Sequence, residues 1–127
     1  MKYLLDTHMA LWALQGKRKL PKSVSKITDD VSASLFLSVA SAWEVAIKVN
    51  LGKLDFEGGV AKFLDEVKLN RVEIIGIEGS YISAVETLPL LHRDPFDRLL
   101  VATAITEGMI ILTIDENIHK YNVNCIG

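Results

Sequence analysis

The chain has 127 residues, of which 50% are hydrophobic and 24% charged, and its formal net charge at neutral pH is −2. These values exclude a disordered chain and argue against a strongly basic protein that wraps nucleic acid. The apolar runs are far shorter than a membrane span, and the early acid in MKYLLDTH argues against a signal peptide. A single cysteine, Cys125, excludes an internal disulfide and suits the reducing cytoplasm, the location that we predict.

Short apolar runs alternate with segments of helical periodicity along the chain. We predict strands at residues 2–5, 33–37, 72–75, 109–113 and 123–126. Helices are predicted at residues 8–14, 21–30, 39–51, 60–68 and 80–87, and a last one begins at Pro95 and is ended by Gly108. The alternation is typical of an α/β domain with a mainly parallel sheet, and the length suits a single domain over residues 1–127.

The stretch HRDPFDRLLVATA, residues 92–104, places two acids at the start of an apolar helix. Asp94 is a good N-cap because its side chain can accept from a free backbone N–H of the first turn. Pro95 suits the first helical position, which needs no N–H, and Asp97 then falls in the first turn. Taken alone, the stretch indicates no more than a well-capped helix.

Four acids occupy equivalent places relative to the predicted strands. Asp6 and Asp115 directly follow strands, Glu44 lies on the helix after the second strand, and Asp97 opens the helix that leads into the fourth. Sites in parallel sheets form beyond the carboxyl ends of the strands, so all four side chains can face one edge. Removing these four charges from the net −2 leaves +2, a mildly basic surface around an acidic pocket.

Carboxylates brought together repel one another, and a hard divalent cation relieves that repulsion. Mg²⁺ and Mn²⁺ prefer such oxygen ligands, whereas zinc needs paired nitrogen or sulfur donors. The three histidines, His8, His92 and His119, are predicted to be isolated and not to bind metal. A carboxylate site that holds Mg²⁺ is typical of phosphodiester hydrolysis.

Four segments, LLDTH, SVASAWEVAIKVNLGKL, HRDPFDRLLVATA and ILTID, resemble in order and spacing the PIN-domain family, most closely its VapC-type toxins of toxin–antitoxin pairs. The resemblance implies a PIN-like three-layer sandwich with helices on both sides of the sheet. It implies a Mg²⁺-dependent endoribonuclease, in which Mn²⁺ can substitute. It also implies a VapB-type antitoxin as partner and a homodimer.

The resemblance assigns roles to individual residues. Asp6 and Asp97 match the main metal ligands. Glu44 and Asp115 match the acids that complete the site, by taking a proton from water or holding a second ion, and the number of ions stays open. Supporting positions are then Thr7, Thr113 and Asp94, of which Asp94 is expected to be a helix cap and not a ligand.

Candidate phosphate contacts near these acids are Lys48, Lys53, Arg93 and Arg98. Solvated charge or an ion pair is nevertheless the favoured interpretation of each, and for Lys48 that interpretation is a surface pair with Glu44. The basic run at residues 17–19 is expected to be a solvated loop. Trp12 and Trp43 could line a groove for the antitoxin, with core packing favoured for Trp43.

Two other functions are compatible with the sequence. One is a PIN fold without turnover that binds RNA or a partner, although the complete set of costly acids argues against it. The other is an aspartyl-phosphate phosphatase with Asp6 as acceptor, but that class usually has a second acid two residues later, where this chain has His8.

Overall fold

The computed structural model describes residues 1–16 and 20–127, so the basic run at residues 17–19 lies outside the described residues. The elements alternate along the chain in the order β1 (Lys2–Leu5), α1 (Thr7–Gln15), α2 (Lys22–Thr28), β2 (Ser34–Ser38), α3 (Val39–Asn50), α4 (Gly59–Leu69), β3 (Val72–Ile75), α5 (Gly79–Thr87), α6 (Pro95–Glu107), β4 (Ile110–Leu112), α7 (Glu116–His119) and β5 (Cys125–Ile126). The predicted elements are all present, and α7 is the one described helix that was not predicted. It has only four residues, too few for an apolar periodicity to be visible.

The described strands form one sheet in the order β3-β2-β1-β4-β5, and every pairing is parallel. Leu5, the last residue of β1, pairs with Leu37 of β2 and with Leu112 of β4. The carboxyl ends of these three central strands therefore lie side by side. Whatever follows them in the sequence is delivered to a single edge of the sheet.

Apolar side chains fill both faces of the sheet. Leu5 faces a buried cluster built from α1 to α4, in which Phe63 of α4 is fully enclosed. Leu4 faces the opposite way, into a second cluster with Leu100 of α6 and Ile118 of α7. The domain is thus the predicted α/β sandwich of helix, sheet and helix layers. Within the described residues, no helix is both long and apolar enough to cross a membrane.

The ends of α6 agree with the sequence prediction. Asp94 caps the helix through Oδ1, which accepts from the N–H groups of Phe96 at 2.9 Å and Asp97 at 3.4 Å. Pro95 occupies the first turn, where no intrahelical N–H is needed. Gly108 ends the helix with a φ of +68°, a left-handed conformation that favours glycine. The cap at Asp94 fixes where α6 begins, and therefore the position of Asp97 in its first turn.

Candidate active site

Asp6 lies at the junction between β1 and α1 and is only 4% exposed. Its Oδ1 accepts from the N–H of Met9 at 2.8 Å, which caps α1, and its Oδ2 accepts from the hydroxyl of Thr113. Burial raises the pKa of Asp6 and the charge of Asp115 adds to that effect, while the bonds from Thr113 and Met9 act in the opposite direction. The carboxylate is held in one orientation at the carboxyl end of the central strand.

Glu44 is buried on α3, and each of its carboxylate oxygens has a partner. Oε1 accepts from the hydroxyl of Thr7 at 2.7 Å, and Oε2 lies 3.0 Å from the ammonium of Lys48. Because Thr7 directly follows Asp6, the first bond ties Glu44 to the neighbouring acid's own helix. The predicted pair of Lys48 with Glu44 is present, and it offsets part of the cost of burying this charge.

Asp97 lies in the first turn of α6, and the pKa of its carboxyl group is strongly shifted. The pKa of Asp97 is raised to about 7, first by burial and then by the negative charges of Asp94, Asp115 and Glu44. Its Oδ2 lies 3.2 Å from Nε2 of His92, whose charge acts in the opposite direction. Acids on separate elements therefore act together on the pKa of Asp97, as expected if they share one edge of the sheet.

Thr113 connects the remaining acid to Asp6. Its hydroxyl donates to Asp6 and accepts from the N–H of Asp115 at 3.0 Å. Asp115 then caps α7 through Oδ1, which accepts from the N–H of Asn117 at 2.9 Å. The charge of Asp115 raises the pKa of both Asp6 and Asp97, so Asp115 is close enough to act on both carboxyl groups.

Within the described residues, His92, Asp94 and Asp97 form the tightest group of possible metal ligands, because each offers an atom within 4.8 Å of the others. The expectation that His92 is isolated is therefore wrong. It stands five residues before Asp97, in the connection that precedes α6, and its Nε2 lies 3.2 Å from the Asp97 carboxylate. Its place in the HRDPFD stretch was the available clue, but helical spacing could not reveal a contact across a turn.

Comparison with known proteins agrees with this fold. The profile of the PIN domain matches residues 3–124. The chain belongs to the PIN domain family. It is 27% identical over 119 residues to Ribonuclease VapC22 of Mycobacterium tuberculosis, which covers 93% of this chain and 90% of that protein.

Solved structures confirm the PIN-like architecture. A chain in the crystal structure of VapBC2 from Rickettsia felis, bound to a promoter DNA fragment, superposes with a TM-score of 0.72 at 19% identity, covering 99% of this chain and 98% of that one. A chain of VapBC-1 from nontypeable Haemophilus influenzae gives a TM-score of 0.69 at 14% identity, with 99% and 97% covered. At these identities the likeness shows the fold.

The four residues predicted as phosphate contacts differ in their exposure. Arg93 and Lys53 are exposed, and Lys48 is half-buried beside Glu44. Arg98 is only 9% exposed, and its guanidinium donates to backbone carbonyls, among them that of Pro89 at 3.0 Å. The expectation that Arg98 contacts phosphate is corrected, because these bonds direct its donors into the protein.

Trp43 also departs from expectation, because its side chain is 61% exposed and not in the core of the PIN domain. Its ring lies edge-on against Phe96 of α6, with centroids 5.2 Å apart. The apolar residues of α3 occupy two faces of the helix. Ala42 and Val45 face the sheet, whereas an exposed row at four-residue spacing consists of Val39, Trp43, Ile47 and Leu51. Trp12, by contrast, is half-buried against the first core cluster.

Proposed function

We propose that this chain is a Mg²⁺-dependent endoribonuclease and the toxin of a toxin–antitoxin pair, with Mn²⁺ as an acceptable substitute. The observation that carries the proposal is the acidic edge, the group formed by Asp6, Glu44, Asp94, Asp97 and Asp115. Within it, burial and three neighbouring carboxylates raise the pKa of Asp97 to about 7. Such a perturbed group beside like charges is characteristic of a functional site. The relative named Ribonuclease VapC22 supports RNA as the substrate class.

The donor set fits a hard divalent cation. Asp6, Asp97, Glu44 and Asp115 supply carboxylate oxygens, and their mutual repulsion is what a bound cation would relieve. We assign Asp6 and Asp97 as the main ligands, with Glu44 and Asp115 completing the site. When bound, such an ion lowers the pKa of a water molecule and neutralises charge on the phosphate.

The chain's own residues prepare the site for hydrolysis. Thr113 and the N–H of Met9 fix both oxygens of Asp6, and Thr7 and Lys48 fix those of Glu44. Because Asp115 uses Oδ1 to cap α7, we assign its Oδ2 to receive the proton of the attacking water. The carboxylate of Asp6 is buried and each of its oxygens accepts a hydrogen bond, so it is a poor nucleophile. This argues against the phosphatase alternative.

The exposed side chains of Arg93 and Lys53, together with Lys48, are the phosphate contacts that we propose. Arg93 lies four residues before Asp97, so its side chain can contact the phosphate backbone of the RNA on one side of the site. Such contacts hold the RNA without reading its bases.

We propose a VapB-type antitoxin as the protein partner, on the ground that the structural relatives were solved as VapBC complexes. A homodimer, and a groove for the antitoxin beside Trp12 and Trp43, remain predictions, as does the cytoplasm as location. The exposure of Trp43 is compatible with a place in such an interface.

The deciding experiment is cleavage of a fluorescently labelled RNA by the purified protein with Mg²⁺, with Mn²⁺ and with EDTA. Asp97→Asn is the test variant, and Asp65→Asn, an exposed acid on α4, is the matched control. We expect metal-dependent cleavage that only Asp97→Asn abolishes. Cleavage that persists in EDTA or in Asp97→Asn would exclude the proposed site. Binding of Mn²⁺ without cleavage of any RNA offered would favour the PIN fold without turnover.

A further inference from the structure

Arg98 is a buried cation whose donors reach the last turn of α5, the connection between α5 and α6, and Tyr121. Nη1 donates to the carbonyl of Pro89 at 3.0 Å and to the Tyr121 hydroxyl at 3.0 Å, and Nη2 donates to the carbonyl of Val85 at 3.3 Å. Longer contacts of 3.5 Å reach the carbonyls of Leu88 and His92. Charge-assisted bonds of this kind are stronger than neutral ones. They therefore hold a segment of irregular backbone in one conformation.

Tyr121 attaches the same segment to the other end of the chain. Its hydroxyl, on a buried ring after α7, accepts from Arg98 and from the backbone N–H of His92 at 3.1 Å. We call Arg98 and Tyr121 the clamp. The clamp fixes the backbone of His92, a residue that belongs to neither α5 nor α6.

The side chain of His92 then reaches the acidic edge. Its Nε2 lies 3.2 Å from Oδ2 of Asp97, and both side chains are largely shielded, at 26% and 16% exposure. A carboxylate in the first turn of a helix can rotate about its side-chain torsions, and a fixed partner on one oxygen removes that freedom. The other oxygen, Oδ1, is then presented in one direction.

From these contacts we infer that His92 is a positioning residue for Asp97, and that the Arg98–Tyr121 clamp holds His92 in the place where it can act. The inference rests on the proposed function in one respect only, that Asp97 is a metal ligand. Partners that orient a ligand in this way usually contribute 10- to 100-fold to metal affinity. The buried Arg98 thus serves the site through the backbone of His92 and not through the RNA.

The test measures Mn²⁺ affinity by titration in the absence of RNA. We expect His92→Ala to weaken binding by about 10- to 100-fold. His92→Gln, whose amide can donate from a similar place, should recover most of that loss. Unfolding curves measured alongside verify that each variant is folded.

The clamp is tested by Tyr121→Phe, which removes one hydroxyl and keeps the ring. The matched control is Tyr81→Phe, because Tyr81 is also buried and its hydroxyl contacts Glu107 at the far end of α6. We expect Tyr121→Phe to weaken Mn²⁺ binding several-fold and to shift the NMR signals of the His92 imidazole, and Tyr81→Phe to do neither.

The possible results separate this inference from the proposed function. If Asp97→Asn abolishes Mn²⁺ binding but folded His92→Ala binds as the unmodified protein does, His92 has no positioning role and the metal site stands. If Tyr121→Phe behaves like Tyr81→Phe, the clamp is excluded. If Asp97→Asn itself binds Mn²⁺ normally, the proposed metal site and the inference both fail.

Discussion

The raised pKa of Asp97 makes a quantitative prediction about stability in the absence of metal. In the unfolded chain this carboxyl loses its proton near pH 3.8, whereas in the folded protein it does so near pH 7. Between these values the folded state binds the proton that the unfolded state has lost, so folding becomes less favourable as the pH rises. The stabilising contribution is complete below about pH 4 and is lost by about pH 7 to 8.

The size of the effect follows from the two pKa values. At about 1.4 kcal/mol for each tenfold change in proton affinity, the difference corresponds to at most about 4 kcal/mol. The Asp97 carboxyl is only partly enclosed, so solvent screening reduces this effect to about 2 kcal/mol. Asp97→Asn cannot ionise, and above pH 7 it should therefore be the more stable protein by up to that amount, less about 1 kcal/mol for a weaker contact with His92.

The assay is urea unfolding in EDTA at five pH values from 4 to 8, for the unmodified protein, for Asp97→Asn and for the control Asp65→Asn. We expect the difference between the first two to grow with pH and the control to show no such trend. Mn²⁺ added at pH 8 should restabilise the unmodified protein and not Asp97→Asn. Equal stabilities of these two proteins across the whole range would refute the reasoning.

Three further predictions follow from the contacts. Thr113→Val removes the hydroxyl bonded to Asp6 and should lower the free energy of unfolding by about 1 to 3 kcal/mol, as urea unfolding will show; an unchanged midpoint would contradict it. Lys48→Met leaves the buried charge of Glu44 without its cation and should cost about 1 to 2 kcal/mol in EDTA, with less loss when Mn²⁺ is present; an equal loss in both buffers would count against Glu44 as part of the metal site. Trp43→Ala, at an exposed position, should change the melting temperature by only a few degrees while weakening capture of the co-expressed antitoxin in a pull-down; full capture would remove Trp43 from that interface.

The fold and the acidic edge were predictable from the sequence for one reason. In a parallel sheet every strand ends at the same edge, so the residues after β1 and β4 had to meet, and local pattern was enough to find those strands. Asp6 and Asp115 come directly after those strands. Asp94 could be assigned as a cap because capping depends only on neighbouring residues.

The wrong predictions all concern contacts that local sequence patterns do not describe. The burial of Arg98 depends on carbonyls contributed by the α5–α6 connection and on Tyr121, 23 residues away. The contact of His92 with Asp97 depends on how the irregular connection enters α6. Trp43 was expected in the core, but α3 has two apolar faces and periodicity does not say which one meets the sheet.

The acidic edge also shows how like charges can be concentrated without unfolding the domain. Asp6, Asp94 and Asp115 each accept backbone N–H bonds at the N-terminus of a helix, where the helix dipole favours negative charge. Each cap contributes about 1 kcal/mol to the stability of the folded chain. The hydrogen bonds that begin these helices therefore also hold the three carboxylates in place. Glu44 and Asp97 are not caps. Glu44 is compensated by Thr7 and Lys48, whereas Asp97 faces His92 and is the acid whose pKa is raised to about 7. The repulsion between these acids therefore acts most strongly on the pKa of Asp97, and Asp97 is the group that would gain most from a bound cation. This is why Asp97 is the position at which metal binding, pH and stability should be most strongly coupled.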